Sequence, residues 1–332
     1  MPIESRPVPR NVSLETIRAA AETVYQAAVR TPLIRLDVPS ARNGAGPAIF
    51  LKLETLQPIG SFKIRGAYNA VRKLRPDQLA KGVWTVSARN AAQGVALAAR
   101  HLNAACSVMV MDTAPETKLR AIARLGATIV QTSYDECWRT VEHHRSDRMS
   151  GHFVHPFDND DFISGNGTIG LEIHQDLPEV DAVIAPLGGG GLLSGIASAL
   201  HELSPTTRVY AAEPETAAPL ATSLRNGHAS HFPDWKASFV DGAGGRSVLE
   251  TMWPLLRDRI SESIVVSLDD VARAMKVAAE RAHVIAEGAA ACAIAAALSP
   301  QLAERGHRNV VAVVSGGNID LTRFAQLVGA CP

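Results

Sequence analysis

Four consecutive glycines, Gly188, Gly189, Gly190 and Gly191, lie between the apolar run 181–187 and a helical pattern that opens at Leu192. Without Cβ atoms, such a loop lets a ligand approach the backbone. Several N–H groups can then converge on an anion beside a helix N-terminus. A plain strand–helix turn would need only one or two glycines. A Walker A loop needs Lys and Ser/Thr after its last glycine, and neither is present here. Gly189, Gly191 and Ser194, with Glu213 at the end of the next strand, nearly satisfy a dinucleotide fingerprint, but its third glycine is missing. A NAD-dependent dehydrogenase therefore stays open beside other phosphate ligands.

Lys63 is the second chemical signal. Pro58 and Gly60 mark a loop, and Ser61 is predicted to cap the next helix. Lys63 then falls in the first helical turn, between Phe62 and Ile64, where the macrodipole disfavours a cation. Desolvation there would lower its pKa and make the amine nucleophilic, able to form a Schiff base with a carbonyl cofactor. The plain alternative is a lysine that snorkels into solvent. Ser315 is the third signal. It ends the apolar run 309–315 just before Gly316, Gly317 and Asn318. That is the carboxyl end of a buried strand, where ligands of open α/β sheets bind, although a turn or N-cap would read the same way.

These residues need a scaffold, and the rest of the chain supplies its pattern. Strands are predicted at 48–54, 82–88, 106–111, 127–132, 181–187, 208–213 and 309–315. Helices are predicted at 61–74, 90–102, 115–125, 134–148, 192–203 and 268–283. The alternation implies an α/β protein with open, mostly parallel sheets and helices on both faces. Lys+Arg and Asp+Glu both total 33 in 332 residues, so no basic excess points to nucleic acid. No apolar run is long enough to span a membrane, and the first residues lack a signal-peptide core. Cys106, Cys137, Cys292 and Cys331 are widely spaced, which fits reduced thiols in the cytoplasm.

Together the three segments resemble the fold-type II pyridoxal-phosphate enzymes, the serine/threonine dehydratase and serine racemase group. The order is Ser61-Phe62-Lys63-Ile64-Arg65-Gly66-Ala67, then Ser87-Ala88-Arg89-Asn90-Ala91, then Gly188 to Leu192, then Glu213-Pro214, then Ser315-Gly316-Gly317-Asn318. The resemblance implies a tryptophan synthase β-like fold. Residues 1–56 and 153–332 would form a large cofactor-binding domain, and 57–152 a small domain that closes on substrate. It also implies that Lys63 holds pyridoxal 5'-phosphate as a Schiff base. Gly188, Gly189, Gly190, Gly191 and Leu192 would bind its phosphate, Asn90 its ring hydroxyl, Ser315 its ring nitrogen, and Phe62 would pack beside the ring. Glu287 matches a position near the cofactor and reads equally as a helix N-terminal acid. The activity implied is a lyase: β-elimination from a β-hydroxy amino acid, giving a 2-oxo acid and ammonia. A homodimer is implied, with no regulatory domain after residue 330.

The chain departs from the group at the substrate loop Ser87-Ala88-Arg89-Asn90-Ala91. Arg89 replaces a glycine and Ala91 a histidine. Arg89 would either turn to solvent or bind a second carboxylate, as in 3-hydroxyaspartate. Ala91 would leave room for a larger β-substituent, as in phenylserine. Ala88 replaces the second base of the racemases, so racemisation is not expected to dominate. The group's divalent-cation site is matched by Glu213 and Ala217, but Pro219 stands at its aspartate position, so no metal is assigned. His143, His144, His152 and His155 read as a solvated surface, and Asp158 to Asp161 lack EF-hand spacing. Two other readings remain: the NAD-dependent dehydrogenase, and a non-catalytic regulator that binds the cofactor or an amino acid.

Overall fold

A computed structural model describes residues 10–38 and 46–331. Ten strands form two sheets. The larger takes β1 (Leu33–Arg35), β2 (Ala48–Leu53), β7 (Ala182–Pro186), β8 (Arg208–Pro214), β9 (Glu262–Val266) and β10 (Asn309–Val314), in the order β1-β2-β10-β7-β8-β9. Only β1 runs antiparallel. The smaller sheet is parallel throughout, in the order β5-β4-β3-β6. Its strands are β3 (Val83–Val86), β4 (Cys106–Met111), β5 (Thr128–Thr132) and β6 (His152–Phe153).

All seven predicted strands form. β7 is buried along its whole length, as is β10 beyond Asn309, which is why each reads as a continuous apolar run. β1 and β6 are too short to announce themselves in the sequence, and β9 was also not expected. The predicted helix at 134–148 stops at His143, because His144 takes a left-handed φ of 56°. The helices Leu14–Val24, Asp160–Asp176 and Gly288–Ala297 were not expected. The last two are buried on nearly all sides and show no amphipathic period. Among the described residues no helix is long and apolar enough to cross a membrane.

The helix Asp160–Asp176 packs unusually close to its neighbours. A Cβ at Gly165 would lie 2.4 Å from the Arg65 carbonyl oxygen, and one at Gly170 would lie 2.9 Å from Ala199 Cβ. Glycine lowers helix propensity, yet here it lets two helix backbones approach.

That close approach brings four buried charges together. Arg65 donates to both oxygens of Glu54, at 2.8 and 2.8 Å, and to both oxygens of Glu172, at 2.6 and 3.0 Å. Lys52 Nζ lies 2.6 Å from Glu172 and donates to the Thr31 carbonyl at 2.7 Å. All four charged side chains are fully buried. Burial alone would raise the Glu172 pKa, but Arg65 outweighs it and holds the carboxylate below its ordinary range. Tyr25 caps the cluster with a 2.7 Å bond to Glu172. The network ties the first helix, β2, the Lys63–Arg72 helix and the Asp160–Asp176 helix to one point.

Removing one partner leaves an uncompensated charge in the interior. Arg65→Met should therefore lower the unfolding free energy by about 3–5 kcal/mol, measured by urea denaturation. Combining it with Glu54→Gln and Glu172→Gln should restore part of that loss. A change of less than about 1 kcal/mol in Arg65→Met would show that the network does not carry the fold.

Candidate active site

Backbone hydrogen bonds bring the sequence signals together. The Phe62 N–H donates to the Ser315 carbonyl at 3.0 Å, and the Gly317 N–H donates to the Gly60 carbonyl at 2.9 Å. The Glu287 N–H donates to the Gly316 carbonyl at 3.0 Å. The lysine loop, the end of β10 and the start of the Gly288–Ala297 helix are thus one stitched unit. They open onto a cavity of about 310 Å³ between the two sheets, together with the glycine loop and the loop after β3. Ser61 was expected to cap the lysine helix, and it does not. Phe62 is the N-cap residue, while Ser61 bridges to Gly316 and its buried hydroxyl has no partner.

Lys63 begins its helix, which has no acidic residue in the first turn. Its Nζ donates to the Pro156 carbonyl at 2.7 Å and lies 5.1 Å from the Phe62 ring centroid and 5.3 Å from that of Phe162. Desolvation pushes its pKa down to about 8, against a smaller upward pull from Glu287. The amine is therefore far more often neutral near pH 7 than an exposed lysine.

The glycine loop joins β7 to the helix Gly191–Leu203. Gly190 holds a φ of 91°, which favours glycine. At Gly189 a Cβ would come within 2.1 Å of the Phe157 ring. Among the described residues, no N–H from Gly188 to Leu192 has an acceptor in the chain, and a helix leaves its first N–H groups unpaired in any case. These donors face the cavity beside the positive end of the helix.

The support beneath this loop was not read from the sequence. His155, expected to be solvated, is buried. Its Nδ1 accepts the Asp158 N–H at 2.7 Å and its Nε2 bonds the Val141 carbonyl at 3.1 Å. Burial pushes its pKa down to about 3, so the ring stays neutral. Asp158 in turn bonds Arg10 at 2.6 Å and Thr251 at 2.6 Å. This box fixes the turn that aims the Pro156 carbonyl at Lys63 and sets Phe157 under Gly189.

Ser315 is buried and lines the cavity, as does Phe62. Asn90 Nδ2 donates to Glu287 at 2.8 Å, and Asn90 Oδ1 accepts from Asn318 at 2.8 Å. Desolvation pushes the Glu287 pKa up to about 7, helped by the nearby charge of Asp241 and opposed by the Asn90 amide. Ser87, Ala88, Arg89 and Ala91 line the cavity from the other lobe. Arg89 is exposed, and it is paired. Its guanidinium bonds the Asp241 carbonyl oxygen, and its Nε lies 3.4 Å from the Asp241 carboxylate. Lys118 bonds the same carboxylate. Burial would raise the Asp241 pKa, but these two cations outweigh it and hold the group below its ordinary range. Asp241 went unnoticed in the sequence, where its only mark is an acid set in the glycine-rich stretch 241–245.

The pyridoxal-phosphate dependent enzyme family matches residues 24–316. The chain belongs to that family. It is 36% identical to an L-threonine ammonia-lyase of Thermotoga maritima over 96% of this chain and 78% of that protein. It is also 36% identical to a catabolic L-threonine dehydratase, TdcB, of Staphylococcus aureus over 96% of this chain and 92% of that protein. Among solved structures it resembles maize serine racemase. The TM-score is 0.85 and the identity 31%, covering 95% of this chain and 96% of the other.

The residues present fit this family's cofactor. Unpaired N–H groups at a helix N-terminus suit a phosphate, and a desolvated amine suits a carbonyl carbon. The dinucleotide reading fails on Glu213. Its carboxylate accepts the N–H groups of Leu220 and Ala221, each at 2.8 Å, and the Ser263 hydroxyl at 2.5 Å. Burial pushes its pKa up to about 7. Fully buried and absent from the cavity lining, it is not placed to meet a ribose. Pro219 starts the helix that supplies two of these donors. Among the described residues no group of three or more acidic, His or Cys side chains could hold a metal ion.

Two outcomes follow from this geometry. Protein stripped of pyridoxal phosphate should recapture it faster as pH rises, because only the neutral amine reacts. The midpoint should lie near pH 8, well below the roughly 10.4 of a free lysine side chain, as read by absorbance of the bound cofactor. A flat profile, or capture by Lys63→Ala, would contradict the assignment of Lys63. Dialysis against EDTA should leave thermal stability and activity unchanged; a loss restored by Mg²⁺ or Ca²⁺ would show that Glu213 holds a cation after all.

Proposed function

We propose that this enzyme is a lyase that converts a β-hydroxy amino acid to a 2-oxo acid and ammonia: water leaves by β-elimination, and one water is taken up again as the ammonia is released by hydrolysis. The observation that carries the reading is the Lys63 amine: desolvated, held by one carbonyl, and opposed by no second base, because Ala88 occupies the facing loop. Bound pyridoxal phosphate supplies the electron sink that makes the α-hydrogen acidic. Lys63 is then the general base, accepting the α-proton at Nζ. The Pro156 carbonyl gives the resulting ammonium an acceptor. Ser315, a neutral hydroxyl, does not hold a ring nitrogen protonated as a carboxylate would. That favours quick loss of a β-leaving group over a long-lived carbanion. The named activities of the Thermotoga and Staphylococcus relatives, both on L-threonine, support the same reaction.

In this reading residues 57–152 close over the substrate and exclude water. Arg89 and Lys118 on one side and Asp241 on the other are the contacts that hold the cleft shut. Asp241 is one carboxylate set between two cations, Arg89 and Lys118, so this contact leaves a positive charge at the cleft.

Purified holoenzyme should release keto acid and ammonia from β-hydroxy amino acids, followed with 2,4-dinitrophenylhydrazine. Lys63→Ala should lower the rate by about 10²–10⁴-fold or more. A bound chromophore without turnover of any such substrate would refute the lyase reading and favour a non-catalytic regulator.

A further inference from the structure

The cavity has two ends of different chemistry. At one end lie the unpaired N–H groups of the glycine loop, the Lys63 amine and the loop 87–91. The other end is a wall of apolar side chains contributed by the smaller sheet and its helix. Val86 and Met109 are paired neighbours where β3 and β4 end, and Met111 follows on β4. Cys137, Trp138 and Val141 come from the helix Tyr134–His143. With Tyr134 they occupy positions i, i+3, i+4 and i+7, which is one continuous helix face, and all four line the cavity.

Little on that wall is available for polar recognition. The Trp138 indole N–H is bonded to Glu142 at 2.7 Å, one turn along the same helix, so its ring is what remains for the cavity. The Cys137 thiol is kept protonated by burial, which pushes its pKa up to about 11. At the mouth, the Arg246 guanidinium is stacked 4.8 Å from the Tyr134 ring centroid and 4.0 Å from that of Trp235. Two small residues, Ala88 and Ala91, stand on the near side and leave the passage from Lys63 to this wall unfilled.

A serine or threonine side chain would leave such a wall without a partner. We infer that the natural substrate carries a bulky, mostly apolar β-substituent, up to the size of an aryl ring, which this chamber receives. The inference rests on the lyase reading and specifies the substrate class within it. Apolar surface on the substituent would displace water from the face of Trp138 and the side chains of Met109, Cys137 and Val141.

The test uses holoenzyme with serine, threonine, 3-hydroxyleucine and 3-phenylserine. A single methylene in an apolar pocket is worth about 10–200-fold in kcat/KM, so the bulky pair should exceed threonine by at least about tenfold. Cys137→Leu and Val141→Phe, which fill the chamber, should each cut the ratio of 3-phenylserine to threonine kcat/KM by about tenfold. The cofactor absorbance band reports whether each variant has folded. As an independent readout, L-phenylalanine, which has no β-hydroxyl to lose, should perturb that band at lower concentration than L-alanine. Threonine or serine used as well as the bulky compounds, with L-alanine binding no more weakly than L-phenylalanine, would overturn the inference while leaving the lyase reading in place. No keto acid from any of the four would overturn both.

Discussion

Four fully buried charges hold this enzyme in register. Lys52 and Arg65 face Glu54 and Glu172, two cations against two carboxylates, and each is fully buried. A cluster of this kind is not an efficient source of stability, since desolvation cancels much of the attraction. Its value is geometric. Each carboxylate accepts two bonds from one planar guanidinium, so the arrangement tolerates little rotation or sliding. Arg65 sits two residues after Lys63 on the same helix, and Glu172 on the helix packed against it. The placement of the reactive amine is thereby tied to the least adjustable contact in the chain.

From that fixed point the site is assembled mostly by backbone. Phe62, Ser315, Gly316, Gly317, Gly60 and Glu287 are joined through carbonyl and N–H groups, and the anion cradle is itself a row of N–H groups. Backbone dipoles need no side-chain rotamer to be fixed before they act, which makes them suited to preorganised binding. Side chains enter where chemistry requires a titratable group. The His155 box shows the division of labour: a neutral imidazole fixes a turn, and the turn, not the imidazole, meets Lys63.

This division explains what could be read from the sequence. Lys63, the glycine loop and Ser315 were legible because each is a short local pattern whose chemistry depends on residue type. Among the seven expected strands, β7 and β10 were legible as continuous apolar runs because they are buried almost throughout, whereas the edge strand β5, mostly unburied, was legible through its β-branched residues. The helix Asp160–Asp176 was not, because Gly165, Gly167 and Gly170 read as breaks; their purpose, close helix–helix approach, exists only once the partners are placed. The same holds for the His155 turn and for Asp241, Trp235 and Arg246. These last come from a stretch of loop between Asn226 and Trp253 that has no period to read and gains its meaning across the cleft. Arg89 was noticed, but its partner lies 152 positions away in sequence.

The electrostatics of the cleft have a common direction. Burial pushes Lys63 down to about 8 and Glu287 up to about 7, so each is driven toward its neutral form by the same desolvation. Ser315 adds no charge. Full charges are kept to the mouth, where Arg89 and Lys118 meet Asp241. A cleft arranged in this way has few fixed side-chain charges inside to compete with those that arrive on the cofactor and substrate. Their anionic groups then meet backbone N–H dipoles. In the proposed lyase, closing the mouth would remove water and strengthen those dipoles at the moment the α-proton must move. The balanced surface charge of the whole chain is therefore no guide to the site, whose low interior charge is produced locally by desolvation.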